Sequence, residues 1–330
     1  MRRIKIYALI ILYDLKIKYV SMQTTNTILM IRPVRFDLNE QTVASNAFQQ
    51  RTRTESGETI QQAAQVEFDT FVVRLRQAGV RVLVFDDTLE PATPDSIFPN
   101  NWVSFHQSGL VYLYPMQAAN RRLERRSDIL TALQTDYNYT IKAQHDLSSP
   151  AESEGIFLEG TGSMVLDRQH RRAYACLSPR THLQLLQQWC EHAGYTPIAF
   201  HAVDEQGQAI YHTNVVMCVG DRYAVVCTDA IADADERKLV TDSLEATGHE
   251  VIIITWEQMN RFAGNMLQVH NQHGEPLLVM SQQAYDALTT EQRQRLEKYN
   301  PLLYSPIPTI ERYGGGSARC MMAEVFLPKS

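Results

Sequence analysis

The chain has 330 residues, of which 44% are hydrophobic, and its 31 basic and 37 acidic residues give a formal net charge of −6. This composition can bury a large core, and the negative net charge argues against a nucleic-acid-binding surface. Five cysteines without a Cys-x-x-Cys pair favour a reducing, cytoplasmic setting over a disulfide framework.

Residues 1–21 differ from the remainder of the chain. Their basic start is followed by an apolar run at 7–13 and then by further charges. The run is too short to span a bilayer, and it lacks the small-x-small cleavage site of a signal peptide. We therefore expect an extension outside the fold, with Met22 as the start of the folded chain; a weak membrane-surface or export segment is the alternative. Residues 22–330 are expected to form one catalytic domain that makes no membrane contact.

Five times along the chain, an amphipathic helical pattern is followed by a turn and an apolar strand. These helix–strand pairs are predicted at 63–77 and 80–85, 129–133 and 139–143, 183–192 and 196–200, 236–244 and 251–255, and 291–299 and 302–305. Hairpins are predicted at 102–105 with 110–114, 163–166 with 173–176, 215–219 with 224–227, and 266–269 with 276–280. Only a strand at 324–327 follows Cys320, so we expect the early strand at 27–31 to complete the last unit.

A polar or glycine-rich segment recurs at nearly the same phase of each unit. Its reactive or hydrogen-bonding residues are separated by 58, 53, 53 and 55 positions along the series Asn101, Glu159, His212, Asn265 and Cys320. A period near fifty indicates repeated supersecondary units that bury their apolar faces against each other. Five such units closed into a ring would bring these side chains together around one axis. A Cys, a His, a Glu and two Asn at one point predict an active site.

Cys320 is the candidate nucleophile of that site. It follows the run Gly314-Gly315-Gly316, which no core needs and which can bring backbone N–H groups close to a ligand. A free thiol has a pKa of about 8.5 and needs assistance to react near neutral pH. The alternative is a glycine-rich turn before a terminal strand. The other cysteines lie in apolar strand or helix patterns and are predicted to be buried structural thiols, namely Cys176, Cys190, Cys218 and Cys227.

His212 is the candidate acid and base, because it alone of the ten histidines sits at the repeated phase, just before an apolar strand. Glu159 lies between an apolar strand end and a glycine turn, where it can orient the imidazole or hold a substrate N–H; an exposed turn residue is the alternative. No metal site is indicated, since no His or Cys pair has ligand spacing. A partly solvated helix face is predicted for the basic cluster that Glu124 interrupts, formed by Arg121, Arg122, Arg125 and Arg126.

Five short segments carry a resemblance to a known superfamily. They are Phe98-Pro99-Asn100-Asn101, Glu159-Gly160-Thr161-Gly162, Leu177-Ser178-Pro179-Arg180-Thr181, His212-Thr213-Asn214 and the stretch from Gly316 to Met321. In this order and spacing they resemble the guanidino-group-modifying superfamily of arginine deiminases, dimethylarginine hydrolases, agmatine deiminases and amidinotransferases. The resemblance covers residues 27–327. It implies a five-bladed α/β propeller (pentein) with pseudo-fivefold symmetry, which acts on a small amino-acid substrate through a covalent thio-intermediate and needs no cofactor.

Two positions depart from arginine deiminases, in which two Asp residues bind the cationic guanidinium. The matching residues here are Asn101 and Asn214. An amide pair would leave a buried guanidinium undercompensated, whereas it can serve both the C=O and the N–H groups of a neutral ureido group. The two amides therefore indicate citrulline rather than arginine, and this agrees with the branch that the sequence most closely resembles, the citrulline-utilisation hydrolases. This resemblance implies hydrolysis of citrulline to ornithine, carbon dioxide and ammonia.

The resemblance also implies roles for individual residues. The catalytic residues would be Cys320, which attacks the ureido carbon, His212, which transfers protons, and Glu159, which orients. Asn101 and Asn214 would hold the ureido group. The α-carboxylate would be bound by Arg180, assisted by Arg121 or Arg122.

Two alternatives stay open for the function. An arginine deiminase or amidinotransferase would bind a guanidinium with Glu159 and a further acid, such as Asp86 or Asp37. A non-catalytic binding protein on the same fold is the other alternative. The presence of a Cys, a His and a Glu at matching positions argues against it.

Overall fold

The structure is a computed structural model that describes residues 22–50 and 52–330, so the predicted extension at 1–21 lies outside the described residues. The described chain is an α/β fold with five three-stranded sheets, none of which closes on itself. In this part of the chain no helix combines the length and the apolar character that crossing a membrane requires.

All five sheets share one pairing pattern, in which the middle strand is antiparallel to its first neighbour and parallel to its second. Four sheets use consecutive strands, and in each the predicted hairpin is present. Their strands are β3 (Val103–Phe105), β4 (Leu110–Leu113) and β5 (Ala143–Asp146); β6 (Val165–Asp167), β7 (Arg172–Cys176) and β8 (Thr196–Phe200); β9 (Met217–Val219), β10 (Tyr223–Val226) and β11 (Glu250–Ile253); and β12 (Leu267–His270), β13 (Pro276–Ser281) and β14 (Leu302–Ser305).

The remaining sheet joins the two ends of the described chain. Strand β1 (Thr27–Arg32) pairs in parallel with β2 (Arg81–Asp86) and antiparallel with β15 (Ala323–Glu324). The predicted pairing of the early strand with the last strand is therefore present. The last strand is shorter than predicted and begins one residue earlier.

Helices lie between the two parallel strands of every sheet, because a parallel pair needs a crossover connection. The α-helices are α1 (Gly57–Gln77), α2 (Ser127–Thr135), α3 (Ser148–Glu154), α4 (Gly160–Ser163), α5 (Leu183–Ala193), α6 (Thr213–Val216), α7 (Ala234–Glu245), α8 (Trp256–Asn260), α9 (Gln282–Ala287), α10 (Thr290–Glu297) and α11 (Pro308–Gly314). Short 3₁₀ helices lie at Pro99–Asn101, Ala119–Glu124 and Thr228–Ala230.

Helix α1 shows how the sequence sets these boundaries. The Ser56 side chain caps its first turn by accepting the Thr59 N–H, and the chain leaves the helix at Gly79 with φ at 83°. One face packs into the core through Ile60, Ala64, Phe68, Phe71, Val72 and Leu75.

The strand predicted at 139–143 is wrong, because the strand that pairs with β4 is β5, at 143–146. Tyr139 is buried through its side chain and makes only an isolated bridge to Lys329. Strand β5 has an alternating half-buried pattern, since it lies at the edge of its sheet. Tyr139, which lies upstream of β5, is therefore apolar because it packs in the core, and it does not belong to a paired strand.

Each residue of the repeated polar series lies in or beside a turn that precedes the first strand of a sheet. Asn101 ends a 3₁₀ helix ahead of β3, while Glu159 and His212 are the N-cap residues of α4 and α6, ahead of β6 and β9. Asn265 and Cys320 stand two and three residues before β12 and β15. This common placement puts the five side chains at equivalent ends of their sheets.

Candidate active site

The turns before the first strands bring the repeated residues into one buried cluster. Helix α4 contacts both the 3₁₀ helix at Pro99–Asn101 and α6. The five side chains are at most 3% exposed, namely those of Asn101, Glu159, His212, Asn265 and Cys320. The structure therefore brings together residues that are more than 200 positions apart in sequence.

The sulfur of Cys320 faces two amide groups. Nδ2 of Asn265 and Nδ2 of Asn214 lie 3.3 and 3.4 Å from Sγ. Asn265 is held in place, because its Nδ2 donates to the Asn214 carbonyl at 2.8 Å and its Oδ1 accepts the Arg319 N–H at 3.0 Å. Two N–H donors in fixed positions can stabilise negative charge that develops at the sulfur.

The other four cysteines have the character expected of structural thiols. All are buried and unpaired. Burial raises the pKa of Cys176, Cys190 and Cys218 to about 12 and that of Cys227 to about 11. These thiols stay protonated at neutral pH and pack as small apolar groups.

His212 and Glu159 form a buried pair. Burial lowers the pKa of His212 to about 4, against the opposing effect of Glu159. Burial alone would raise the pKa of Glu159, but Arg180, His212 and Arg121 outweigh it and lower that pKa to about 2. An ionised Glu159 thus accepts the Nε2–H of a neutral imidazole, which leaves Nδ1 as the basic nitrogen.

Arg180 lies beside this pair. Its Nη1 is 3.6 Å from Oε2 of Glu159, and its Nη2 donates to Oγ of Ser45 at 2.7 Å. The guanidinium lies 4.9 Å from the Tyr211 ring centroid, and its buried Nε finds no hydrogen-bond partner within the described chain. A guanidinium with an unused donor in a closed site is suited to bind a ligand carboxylate.

Arg121 has most of its donors occupied. Its Nε and Nη2 each lie 2.9 Å from an oxygen of Glu124, and its Nη1 donates to Oδ1 of Asn101 at 3.0 Å. The prediction of a partly solvated helix face is wrong here, because Arg121 and Glu124 are 2% and 3% exposed. A guanidinium can only donate hydrogen bonds, so Arg121 binds the amide oxygen Oδ1 of Asn101. The amide nitrogen Nδ2 of Asn101 remains a donor without a hydrogen-bond partner among the described residues.

Asp95 is a site residue that the sequence reasoning missed. It lies outside the repeated phase, and its only sequence signal is its position three residues before Phe98. Its Oδ2 accepts from Nδ2 of Asn39 at 2.7 Å and lies 3.8 Å from Nε of Arg121. Burial raises the pKa of Asp95 against the opposing effect of Arg121. Oδ1 has no partner in the part of the chain that the structure describes.

Three of the sequence candidates lie outside the cluster. Arg122 donates to the Met116 carbonyl at 3.0 Å and lies 3.6 Å from Glu152. Asp37 pairs with the exposed Arg53. Asp86 is exposed at the end of β2. Arg122, Asp37 and Asp86 therefore do not line the cavity that contains Cys320.

That cavity is narrow, and a loop covers it. Nδ2 of Asn46 donates to the Gly315 carbonyl at 3.2 Å, and Nε2 of Gln49 donates to the Tyr313 carbonyl at 2.8 Å. Gly315 has φ at 61° and permits this close approach, which a Cβ atom would block. The open volume is about 10 Å³, room for about one water molecule. A space of this size does not hold an amino-acid ligand as the structure stands.

The cavity is lined by residues from several elements. They are Asn46, Asp95, Phe98, Asn101, Arg121, Arg180, Tyr211, His212, Gly314, Gly315, Gly316 and Cys320. Gly162 is packed beneath it, and an added methyl group there would collide with the Asn101 amide and the His212 ring. Gly162 and Gly315 thus allow close packing around the reactive side chains.

Within residues 22–50 and 52–330, one group of three side chains could hold a metal ion, and it lies apart from this cavity. Ligand atoms of Asp167, His170 and His249 lie within 4.8 Å of one another. Both ring nitrogens of His249 already have protein partners, Oγ1 of Thr247 at 2.9 Å and the Gly220 carbonyl at 3.1 Å. A metal would have to displace one of these hydrogen bonds.

Sequence and structure comparisons place the chain in the guanidino-group-modifying superfamily. The sequence pattern of the family described as N,N dimethylarginine dimethylhydrolase, eukaryotic, matches residues 32–327. The chain belongs to that family. A comparison with curated proteins gave no match.

Solved structures share the fold. ArgZ, an arginine dihydrolase from the ornithine-ammonia cycle in Cyanobacteria, has a TM-score of 0.71 at 17% identity over 92% of this chain and 41% of its own. Its N-terminal domain, solved with substrate, has a TM-score of 0.70 at 17% identity over 91% of this chain and 97% of its own. A dimethylarginine dimethylaminohydrolase adduct with S-methyl-L-thiocitrulline has a TM-score of 0.59 at 12% identity, covering 91% and 99%. The chain thus spans less than half of ArgZ and nearly all of its N-terminal domain.

Proposed function

We propose that this protein hydrolyses the ureido group of citrulline to give ornithine, carbon dioxide and ammonia. The pair of amides at the site carries the proposal. Nδ2 of Asn101 and Oδ1 of Asn214 are buried and lack a hydrogen-bond partner in the described chain. Asn101 lines the cavity that contains Cys320, whereas Asn214 lines another small cavity and contacts the Cys320 sulfur through its Nδ2. One free donor and one free acceptor suit a ureido group, which has a C=O acceptor and N–H donors.

The charges of the cluster also support a neutral reacting group. Glu159 faces Arg180 at 3.6 Å. Asp95 and Glu124 both face Arg121, at 3.8 and 2.9 Å. The two carboxyl groups share this one cation, but burial raises the pKa of both, that of Glu124 to about 8, which reduces the negative charge opposite Arg121 near neutral pH. A guanidinium substrate would then add a buried positive charge without a carboxylate to match it. A ureido group adds no charge.

In the proposed first step, Sγ of Cys320 attacks the ureido carbon and its proton passes to Nδ1 of His212. The C–N bond to the ornithine nitrogen breaks, and the imidazolium returns the proton to that nitrogen. The carbamoyl group stays on the sulfur as a thiocarbamoyl intermediate. Glu159 holds the imidazole and stabilises its transient positive charge.

In the proposed second step, Nδ1 of His212 takes a proton from water as the water oxygen attacks the thiocarbamoyl carbon. The C–S bond breaks, Cys320 regains its proton, and the released carbamate decomposes to carbon dioxide and ammonia. Arg180 binds the α-carboxylate through its free donor, and Arg121 positions Asn101. No cofactor takes part in this proposal.

A guanidino substrate is the second candidate, and Asp95 favours it. Its unpartnered Oδ1, as judged over the described residues, faces a cavity in which a carboxylate could meet a guanidinium. ArgZ is described as an arginine dihydrolase, and a variant of AgrE, another structure similar to this chain, was solved with L-arginine. Arginine deiminase or amidinotransferase chemistry would then use the same thiol.

The proposal includes the arrangement of the fold. The five sheets of equal pairing pattern would surround one pseudo-fivefold axis as a five-bladed propeller, with residues 22–330 as a single domain. The convergence of five equivalent turns on one cluster supports this arrangement. A reducing, cytoplasmic setting is also part of the proposal, supported by five unpaired cysteines.

The test is to incubate purified protein separately with citrulline, arginine, agmatine and methylated arginines, and to identify the products by mass. Ornithine and ammonia from citrulline, at a kcat/KM above that for arginine, are expected. Preferred turnover of arginine would overturn the ureido proposal in favour of the second candidate. If no compound is turned over and thiol labelling does not select Cys320, the protein is a binding protein on this fold.

A further inference from the structure

A second cavity lies at the other end of the sheets from Cys320. Glu159 precedes β6, whereas Arg168 and Arg171 belong to the turn that follows β6. These two arginines line a cavity of about 250 Å³, together with aromatic side chains that include Tyr195 and Phe326. The cavity therefore shares no lining residue with the candidate active site.

Arg168 is a buried cation that shares its carboxylate partner with a second arginine. Its side chain is 5% exposed, and its guanidinium lies 4.1 Å from the Phe326 ring centroid. Its carboxylate partner is Glu324, at 3.5 Å. That same oxygen of Glu324 lies 2.8 Å from Nη2 of Arg319. One carboxylate thus serves two guanidinium groups, which leaves excess positive charge at the cavity.

Arg171 adds a second cation to the same cavity. Its guanidinium lies 5.3 Å from the Tyr195 ring centroid, and it forms no ion pair within the described residues. Its backbone has φ at 54°, a conformation that non-glycine residues rarely adopt. No aspartate or glutamate is among the described residues that line the cavity. Two guanidinium groups, each lying over an aromatic ring, therefore face a cavity that has no carboxylate among its described lining residues.

The surrounding polar groups do not neutralise this charge. Burial, together with Arg168 and Arg171, lowers the pKa of His106 well below its ordinary value, so this lining residue stays neutral. The hydroxyl of Tyr112 bonds Nδ1 of His192. The lining thus combines two cations with neutral hydrogen-bonding groups and aromatic rings.

We propose that this cavity is a binding site for a small oxyanion, a carboxylate or a phosphate. Arg168 and Arg171 present planar guanidinium groups, which the rings of Phe326 and Tyr195 hold in orientation. Guanidinium groups recognise carboxylate and phosphate oxygens through paired N–H donors, and aromatic stacking limits the rotamer freedom they lose. The volume suits an ion or a small metabolite and is below the range of most drug-sized pockets.

The test is calorimetric titration of the full-length protein with inorganic phosphate and, separately, with a small dicarboxylate such as succinate, at ionic strength held constant with chloride. The two arms distinguish the two sources of oxyanion. The variant is Arg171→Gln, because Arg171 is exposed and its removal leaves the core intact. The matched control is Arg222→Gln. Arg222 directly precedes β10 as Arg171 precedes β7, and it lies 5.1 Å from the Tyr299 ring centroid.

Saturable binding of at least one of the two anions is expected in the wild type and in Arg222→Gln, with at least about tenfold weaker binding in Arg171→Gln. The proposal is overturned if neither anion binds above the chloride control. It is also overturned if Arg171→Gln binds as tightly as wild type, or if both variants lose binding equally. Because citrulline turnover is not the readout, failure of this site and failure of the proposed activity are distinguishable.

Discussion

Nε2 of His212 lies 2.8 Å from Oε2 of Glu159, although 53 residues separate them in sequence and neither side chain is more than 2% exposed. This contact decides which imidazole nitrogen carries the proton. The protonation of both side chains also affects the stability of the fold, because the pKa values of His212 and Glu159 differ from those of the unfolded chain.

The first prediction concerns this pair and pH. The folded pKa of His212, about 4, lies below its unfolded value of ~6.5, so unfolding takes up protons as pH falls from ~6.5 towards 4. Glu159, with a pKa lowered to about 2, acts with the same sign below its unfolded value of ~4.3. The contribution of this pair to the free energy of unfolding should therefore fall with decreasing pH over this range.

The measurement is denaturant unfolding between pH 7 and pH 4 for wild type and for His212→Asn. One proton contributes at most about 1.4 kcal/mol per pH unit, and the variant should lose that part of the slope between pH 6.5 and 4. An identical slope in both proteins would show that His212 is not held neutral by the fold.

The second prediction is that Cys320 carries the covalent step. Cys320→Ser should keep the melting temperature within a few degrees, while turnover of the preferred substrate falls by orders of magnitude, because a serine hydroxyl is barely ionised at neutral pH. Cys218→Ala is the control, since Cys218 lies buried in β9. It should lower stability and leave kcat nearly unchanged. Comparable turnover in Cys320→Ser would exclude the covalent mechanism.

The third prediction is that Asn101 and Asn214 select a neutral ureido group. Replacing both with Asp should weaken citrulline activity, because a carboxylate would then face a carbonyl oxygen in a dry cavity. Arginine binding should improve through charge-assisted hydrogen bonds of roughly 1.5–3 kcal/mol each. The measured quantity is the ratio of arginine to citrulline affinity. A ratio that does not rise contradicts the role assigned to the two amides.

The fourth prediction is that Arg180, and not Arg122, binds the α-carboxylate of the substrate. Arg180→Gln should raise KM for citrulline more than it lowers kcat, because the lost interaction with the α-carboxylate is a charged hydrogen bond of about 1.5–3 kcal/mol. Arg122→Gln is the matched control and should retain wild-type KM, since its donors contact the Met116 and Gln117 carbonyls outside the cavity. Equal effects in the two variants would remove Arg180 from the substrate-binding set.

The fifth prediction is that residues 1–21 are dispensable. They carry no part of the repeated pattern, and among the described residues the first strand begins at Thr27. A chain starting at Met22 should show unchanged melting temperature and unchanged kcat/KM. Loss of solubility or of activity in the shortened chain would show that residues 1–21 pack on the fold.

The site could be predicted in part because the chain repeats its units. Asn101, Glu159, His212, Asn265 and Cys320 were all selected by phase, and the structure places them together. A repeated unit puts equivalent residues at equivalent ends of equivalent sheets, so regular spacing along the chain becomes proximity in space. The position of strand β5 did not follow from the pattern, because the side chain of Tyr139 packs in the core although its backbone is not part of the paired strand.

The sequence by itself thus determined the repeated units, the pairing of the two chain ends and the candidate reactive residues, since these depend on local spacing and apolar pattern. Only the tertiary structure decided the charges of the site: that Arg121 is buried against Glu124, that Asp95 enters the cavity and that Arg122 stays outside it. The physical reason is desolvation. A charged side chain changes its pKa and its partner according to what packs across from it, and spacing along the chain carries no information about that.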